Sequence, residues 1–170
     1  MRNQNTKKLV LAAVLTALGV AASPLYIPIG ASKCFPVQHL VNVLAAVLLG
    51  PWYGVSMAFV TSLLRVLIGT GSLLAFPGSM CGALLAGLLY RWRPNLGLAC
   101  LGEMIGTGVI SVILAWPIAI FVLGKACGPF TYFVPFMAAA VTGVIIATVL
   151  VFLLRKSGAM NAMERLAEKG

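Results

Sequence analysis

Residues 36–68 read PVQHLVNVLAAVLLGPWYGVSMAFVTSLLRVLI, and the only Lys, Arg, Asp or Glu among them is Arg65. The stretch is apolar on all sides, so length and breakers divide it better than helical periodicity does. Gly50-Pro51 is the breaker, and it leaves candidate helices over about 36–50 and 52–68. The same reading carried outward adds 8–23, 73–90, 96–123 and 131–154. Their boundaries fall at Pro24 and Pro28, Gly69-Thr70-Gly71, Arg91 to Pro94, and Gly124 to Pro129. A membrane-spanning helix needs about 20 mostly apolar residues. The pattern predicts an all-α integral membrane protein of six transmembrane helices. One domain covers 1–156, and a polar tail, a helix turn or disordered, covers 157–170.

Composition supports this class. Of 170 residues, 61 % are hydrophobic and 9 % charged, against roughly 25 % charged in soluble domains. So few charges cannot cover a water-facing surface, but lipid needs none. The net charge of +9 does not indicate nucleic acid, because no basic face with interleaved aromatics occurs. Basic residues sit at the ends of apolar runs, where they set orientation. With the N-terminus inside, the inner side holds Arg2, Lys7, Lys8, Arg91, Arg93, Arg155, Lys156, Arg165 and Lys169. The outer side holds Lys33 and Lys125, with Arg65 near the outer end of the third helix. That asymmetry predicts a multi-pass protein of the cell membrane with both termini cytoplasmic. The basic, apolar start resembles a signal peptide, but the later runs are equally apolar, so it reads as the first membrane helix.

The second candidate is short. Fifteen residues from Pro36 to Gly50 make about 22 Å of helix, against an apolar core of roughly 30 Å. Either the bilayer adapts or the preceding loop dips inward. Irregular backbone at that depth must be buried in protein or face a watery cavity. The segment GASKCFPVQHLVN, residues 30–42, is therefore read as roofing or lining a cavity open to the outside.

Each polar feature in these runs carries two readings. His39 and Asn42 lie three apart on one helix face, beside Lys33 and Gln38. They either contact a ligand beside a broken loop or bond between helices. Arg65 either serves a site or snorkels to the outer headgroups. Glu103, the one acidic residue outside the tail, either holds a neighbouring helix or a ligand. Phe76-Pro77 and Trp116-Pro117 each set an aromatic beside a proline, as pocket wall or interfacial anchor. Small residues recur at spacing four in Ala13, Ala17, Ala21 and in Gly78, Gly82, Ala86, and such stripes let helices approach closely. The cysteines at 34, 81, 100 and 127 show no CxxC pair. The topology allows a Cys34–Cys127 bridge, but the spacing favours four small apolar fillers and no metal site. No GxxxxGK[ST], HExxH or GxSxG occurs, so the motifs of nucleotide hydrolysis and of common hydrolases are missing. No enzyme activity and no cofactor are expected.

Two stretches, KCFPVQHLVNVLAAVLLGPWYG (33–54) and TSLLRVLIGTGSLLAFPGSMCGALLAGLLY (61–90), resemble the ThiW family. These are substrate-binding S components of energy-coupling factor (ECF) vitamin transporters. The resemblance implies a six-helix bundle with an outward vitamin pocket gated by the loop between the first two helices. It implies as partners a transmembrane coupling protein and two ATPase subunits, and as substrate a thiamin precursor, hydroxyethylthiazole. It also implies that Ala13, Ala17 and Ala21 dock the coupling protein. A pocket for this small, neutral aromatic needs an aromatic wall, a few hydrogen-bonding groups and no strong charge. His39, Asn42, Ser72 and Ser79 are candidates for the polar contacts, and Phe35, Phe76 and Trp116 for the walls. Lys33 and Arg65 complete the candidate set. The competing reading is a stand-alone secondary transporter that uses a proton or sodium gradient, with Glu103 carrying the coupling proton.

Overall fold

Proline and glycine set the helix boundaries in the computed structural model, which describes residues 2–29 and 32–168. After α1 (Arg2–Ala21), both α2 (Pro36–Leu48) and α3 (Pro51–Leu67) begin on a proline. There the missing N–H costs no helical bond. Gly50, at φ 84°, and Gly69, at φ 76°, take the left-handed conformation that turns the chain beside α3. Next come α4 (Ala75–Trp92), α5 (Leu96–Val122), α6 (Phe133–Lys156) and a short α7 (Ala159–Glu168). Asn95 starts α5 by accepting the Gly97 N–H at 2.7 Å. The six long helices match the six predicted runs to within a few residues, except that α1 starts earlier.

Two π segments, Gly106–Ile110 and Ile118–Val122, widen α5 without ending it. The second directly follows Pro117, whose ring and missing N–H the wider turn absorbs. At the first, the Ser111 hydroxyl donates to the Gly106 carbonyl at 2.7 Å. A π turn at this point shifts the facing of everything beyond it.

The chain is inverted relative to a soluble globule. Ala58, Ala83, Ala86, Ala115, Ala140 and Ala147 are fully buried, with Asn42, Thr61, Ser62 and Glu103. Large apolar residues face outward, as with Ile113 at 63 % and Phe152 at 65 % exposure. Small residues let helices meet closely, and large ones suit contact with lipid. By length and apolarity alone, α5 and α6 each suffice to cross a membrane.

In α2 all residues are buried apart from the half-buried Val37, because it packs against α1, α3, α4, α5 and α6 together. It is a central post, and its shortness follows from meeting protein on every side. Before it, β1 (Ile27–Ile29) and β2 (Ser32–Cys34) pair antiparallel, Ile27 with Cys34 and Ile29 with Ser32. This small hairpin amends the all-α expectation: three-residue strands are too short to show alternation. The Cys34 thiol donates to the Pro135 carbonyl at 3.0 Å and fastens β2 to the start of α6. Burial pushes that thiol's pKa up, which keeps it a donor. All four cysteines are free, so no Cys34–Cys127 bridge forms.

The expected tail folds as α7 after a turn at Gly158, φ 75°. Fully buried Met160 tucks α7 against the core formed with α1, α2 and α6. Lys169, counted among the inner charges, lies outside the described residues.

Candidate functional site

Alternating helix directions bring connections 22–35, 68–74 and 123–132 to one end of the bundle. A cavity of about 270 Å³ lies at that end. Phe35, Gln38 and His39 at the start of α2, Arg65 near the end of α3, and Gly69 to Ser72 form part of its wall. The first turns of α4 add Ala75, Gly78 and Ser79, and α5 adds Thr107. Opposite stand Tyr132, Pro135, Phe136 and Ala139, with Lys33 and Lys125 from the connections. The Tyr132 and Phe136 rings, 6.0 Å apart, make an aromatic wall.

Behind the wall runs a polarised hydrogen-bond chain. Arg65 Nη1 donates to Gln38 Oε1 at 3.3 Å. Gln38 Nε2 donates to Asn42 Oδ1 at 3.3 Å. Asn42 Nδ2 donates to Glu103 Oε1 at 2.9 Å and to the Ser79 carbonyl at 3.1 Å. His39 Nδ1 donates to the same Glu103 oxygen at 2.8 Å. The cation at one end and the carboxylate at the other fix both amides. Oxygens point toward Arg65 and N–H groups toward Glu103, so each bond strengthens the next. Thr107 Oγ1, which donates to the Gly78 carbonyl at 2.9 Å, lies 3.3 Å from Glu103 Oε1. The Glu103 carboxylate fits because residue 82 is glycine: a Cβ there meets Glu103 Oε1 at 2.6 Å. The small-residue stripe of α4 is thus internal packing around a buried carboxylate.

The structure gathers Lys33, Phe35, His39, Arg65, Ser72 and Ser79 around the cavity. Asn42 is on the His39 face but one turn deeper, fully buried behind the wall. Phe76 turns away and meets the Phe59 ring at 5.5 Å between centroids. Trp116 is 38 % exposed, and its indole N–H donates to the Cys127 carbonyl at 3.1 Å. Neither ring lines the cavity, and the wall role falls to Phe35, Tyr132 and Phe136. Thr107, Tyr132 and Phe136 escaped the sequence reading. Their signal was i, i+4 spacing, Thr107 after Glu103 and Phe136 after Tyr132.

His39 commits Nδ1 to Glu103, which leaves Nε2 to the cavity that the ring lines. The Ser79 hydroxyl is engaged with the Ala75 carbonyl and Ser62. Among the described residues no group of three His, Cys, Asp or Glu is placed to hold a metal ion. We expect Asn42→Ala to weaken ligand binding by about 1–3 kcal/mol, because it orphans Gln38 and one Glu103 contact. Trp116→Phe, which removes only the bond to Cys127, is expected to leave affinity unchanged in parallel calorimetric titrations.

A helical bundle that is apolar outside and holds a polar, ring-walled cavity at one end has the build of a membrane protein. Within that class the chain belongs to the ThiW family, described as thiamine-precursor transporter protein, whose model matches residues 9–157. No curated protein and no solved structure matches it. The family is one of transporters, and membrane localisation follows from it and from the apolar helices.

Proposed function

We propose that the chain is the substrate-binding S component of an ECF-type importer and that it takes hydroxyethylthiazole from the cell exterior. In this reading α1 to α6 span the membrane, residues 1–156 form the binding domain, and 157–170 with both termini face the cytoplasm. The observation that carries the reading is the position of the cavity. It lies at the end with three cations, opposite the end rich in Lys and Arg, as an outward pocket requires. Its volume of about 270 Å³ falls just below the usual range of ligand pockets, roughly 300–1,000 Å³, and suits a single ring with a short arm. The ring stacks against Phe35, Tyr132 and Phe136, and His39 and Ser72 meet its polar groups. The β1–β2 hairpin, which carries Lys33 and leads into Phe35, is the gate. The coupling protein docks on Ala13, Ala17 and Ala21, and two ATPase subunits supply the energy. The chain itself performs no chemistry and needs no cofactor.

The test is calorimetry of the purified chain with hydroxyethylthiazole, thiamin and the pyrimidine precursor. Saturable binding of the thiazole in preference to the other two is expected. Absence of heat with all three sinks the proposal. A proton-coupled carrier is the second reading, favoured by the buried Oε2 of Glu103, which has no partner among the described residues. It requires the chain alone, in proteoliposomes, to accumulate substrate along a proton gradient.

A further inference from the structure

Arg65 is 1 % exposed, yet it lines the cavity. One face of its guanidinium lies 3.7 Å from the centre of the Phe35 ring, and Nη1 is spent on Gln38. Nε and Nη2 have no partner among the described residues. Those two nitrogens share one edge of the planar group, and their N–H bonds run parallel. This fork matches the two oxygens of a carboxylate or phosphate, whereas one ring nitrogen or hydroxyl satisfies only half of it. Lys33 and Lys125 add positive charge to the same cavity. Among the described residues no Asp or Glu lines it, and Glu103 sits behind the wall with Oε1 holding His39 and Asn42. Nε and Nη2 are themselves buried, so an occupant reaches them only when the side chain shifts toward the cavity; a buried cation left with two unmet donors is costly unless an occupant supplies acceptors and charge.

We infer that the ligand of this cavity carries an oxyanion, gripped by the Nε/Nη2 fork of Arg65, with its ring against the aromatic wall. The inference rests on the cavity being the substrate site and refines what enters it: an anionic thiazole derivative is preferred over the neutral alcohol. Lys33 and Lys125 balance the second charge of a phosphate monoester, which carries about −1.5 to −2 at neutral pH.

The experiment titrates the purified full chain, in phosphate-free buffer, with four probes. They are hydroxyethylthiazole, its phosphate monoester, the analogue carrying a carboxymethyl group in place of the hydroxyethyl, and inorganic phosphate. The ester or the carboxylate is expected to bind about 10- to 100-fold tighter than the alcohol, the factor for one charge-assisted pair. Arg65→Gln is expected to erase that preference while still binding the alcohol, which also shows that it folds. Should Arg65→Gln not fold, Arg65→Lys keeps the charge without the fork and is expected to lose most of the preference. Equal affinity for alcohol and anions overturns the inference and leaves the proposed function standing. Inorganic phosphate that binds through Arg65 and tightens the alcohol also overturns it, since the oxyanion is then a separate ion. If none of the thiazoles binds, both fall together.

Discussion

Glu103→Leu is expected to lower the thermal unfolding midpoint sharply in detergent and to abolish detectable ligand binding. Glu103 is fully buried, and its Oε1 accepts from His39 Nδ1 and Asn42 Nδ2. Leucine fills much of the volume but leaves both donors without an acceptor. Each buried donor left without an acceptor costs about 1–3 kcal/mol, and here there are two. The damage then spreads along the chain. Asn42 no longer has reason to point its oxygen at Gln38, and Gln38 no longer holds its own oxygen toward Arg65. The cavity wall built by His39, Gln38 and Arg65 loses its order together with the carboxylate. Glu103→Gln separates charge from geometry. Its side-chain oxygen still accepts from His39, so a milder loss of about 1–3 kcal/mol is expected. A double-mutant cycle with Asn42→Ala gives the third reading. Because the two side chains act in one network, the double variant is expected to cost clearly less than the sum of the singles. If Glu103→Leu melts and binds like the parent chain, the network is decoration and His39 is placed by something else.

The same network shows where sequence reasoning reached and where it stopped. Breakers are local, so Pro36, Gly50-Pro51 and Gly69 disclosed the helix ends without any knowledge of packing. Helical spacing is local too, and it put His39 and Asn42 on one face. What it could not supply was azimuth. In a soluble helix the polar face tells which way a residue points, but here both lipid and core accept apolar side chains, so Phe76 and Trp116 carried no direction. Pro77 sits in the first turn of α4, where proline interrupts nothing, and Phe76 rotates out to Phe59. Pro117 is absorbed by a π turn, and Trp116 is left on the outer surface. Glu103 stood out because a charge in an apolar run always does. Its partnership with His39 joins residues 64 positions apart, and no local pattern encodes that. The opposite wall was missed for a related reason: Tyr132 and Phe136 are ordinary as sequence and become a site only when Phe35 and Arg65 stand opposite.

Ala17→Trp, alone or with Ala13→Trp, is expected to leave ligand affinity unchanged in detergent and to cut ATP-driven uptake by about 10- to 100-fold. That factor corresponds to a steric misfit of about 1–3 kcal/mol at a close helix contact. Ala13, Ala17 and Ala21 are all exposed on α1, so none of the described residues covers them. Ala13 and Ala17 border an apolar groove of about 450 Å³ between α1 and α3, floored by Met57 and edged by Tyr53, Val60 and Leu64. In the proposed reading a helix of the coupling protein seats there because the alanines let its backbone come close, and a tryptophan holds it off. None of the groove residues lines the cavity of the proposed site, so binding and uptake are expected to separate. Val149→Trp supplies the contrast. Val149 is 55 % exposed on α6, away from the groove, and the added bulk there meets only lipid, so uptake is expected to stay intact. If the α1 substitutions destroy binding, the stripe belongs to internal packing. If Val149→Trp blocks uptake just as well, the loss comes from bulk anywhere on the surface, and α1 has no claim to be the docking face.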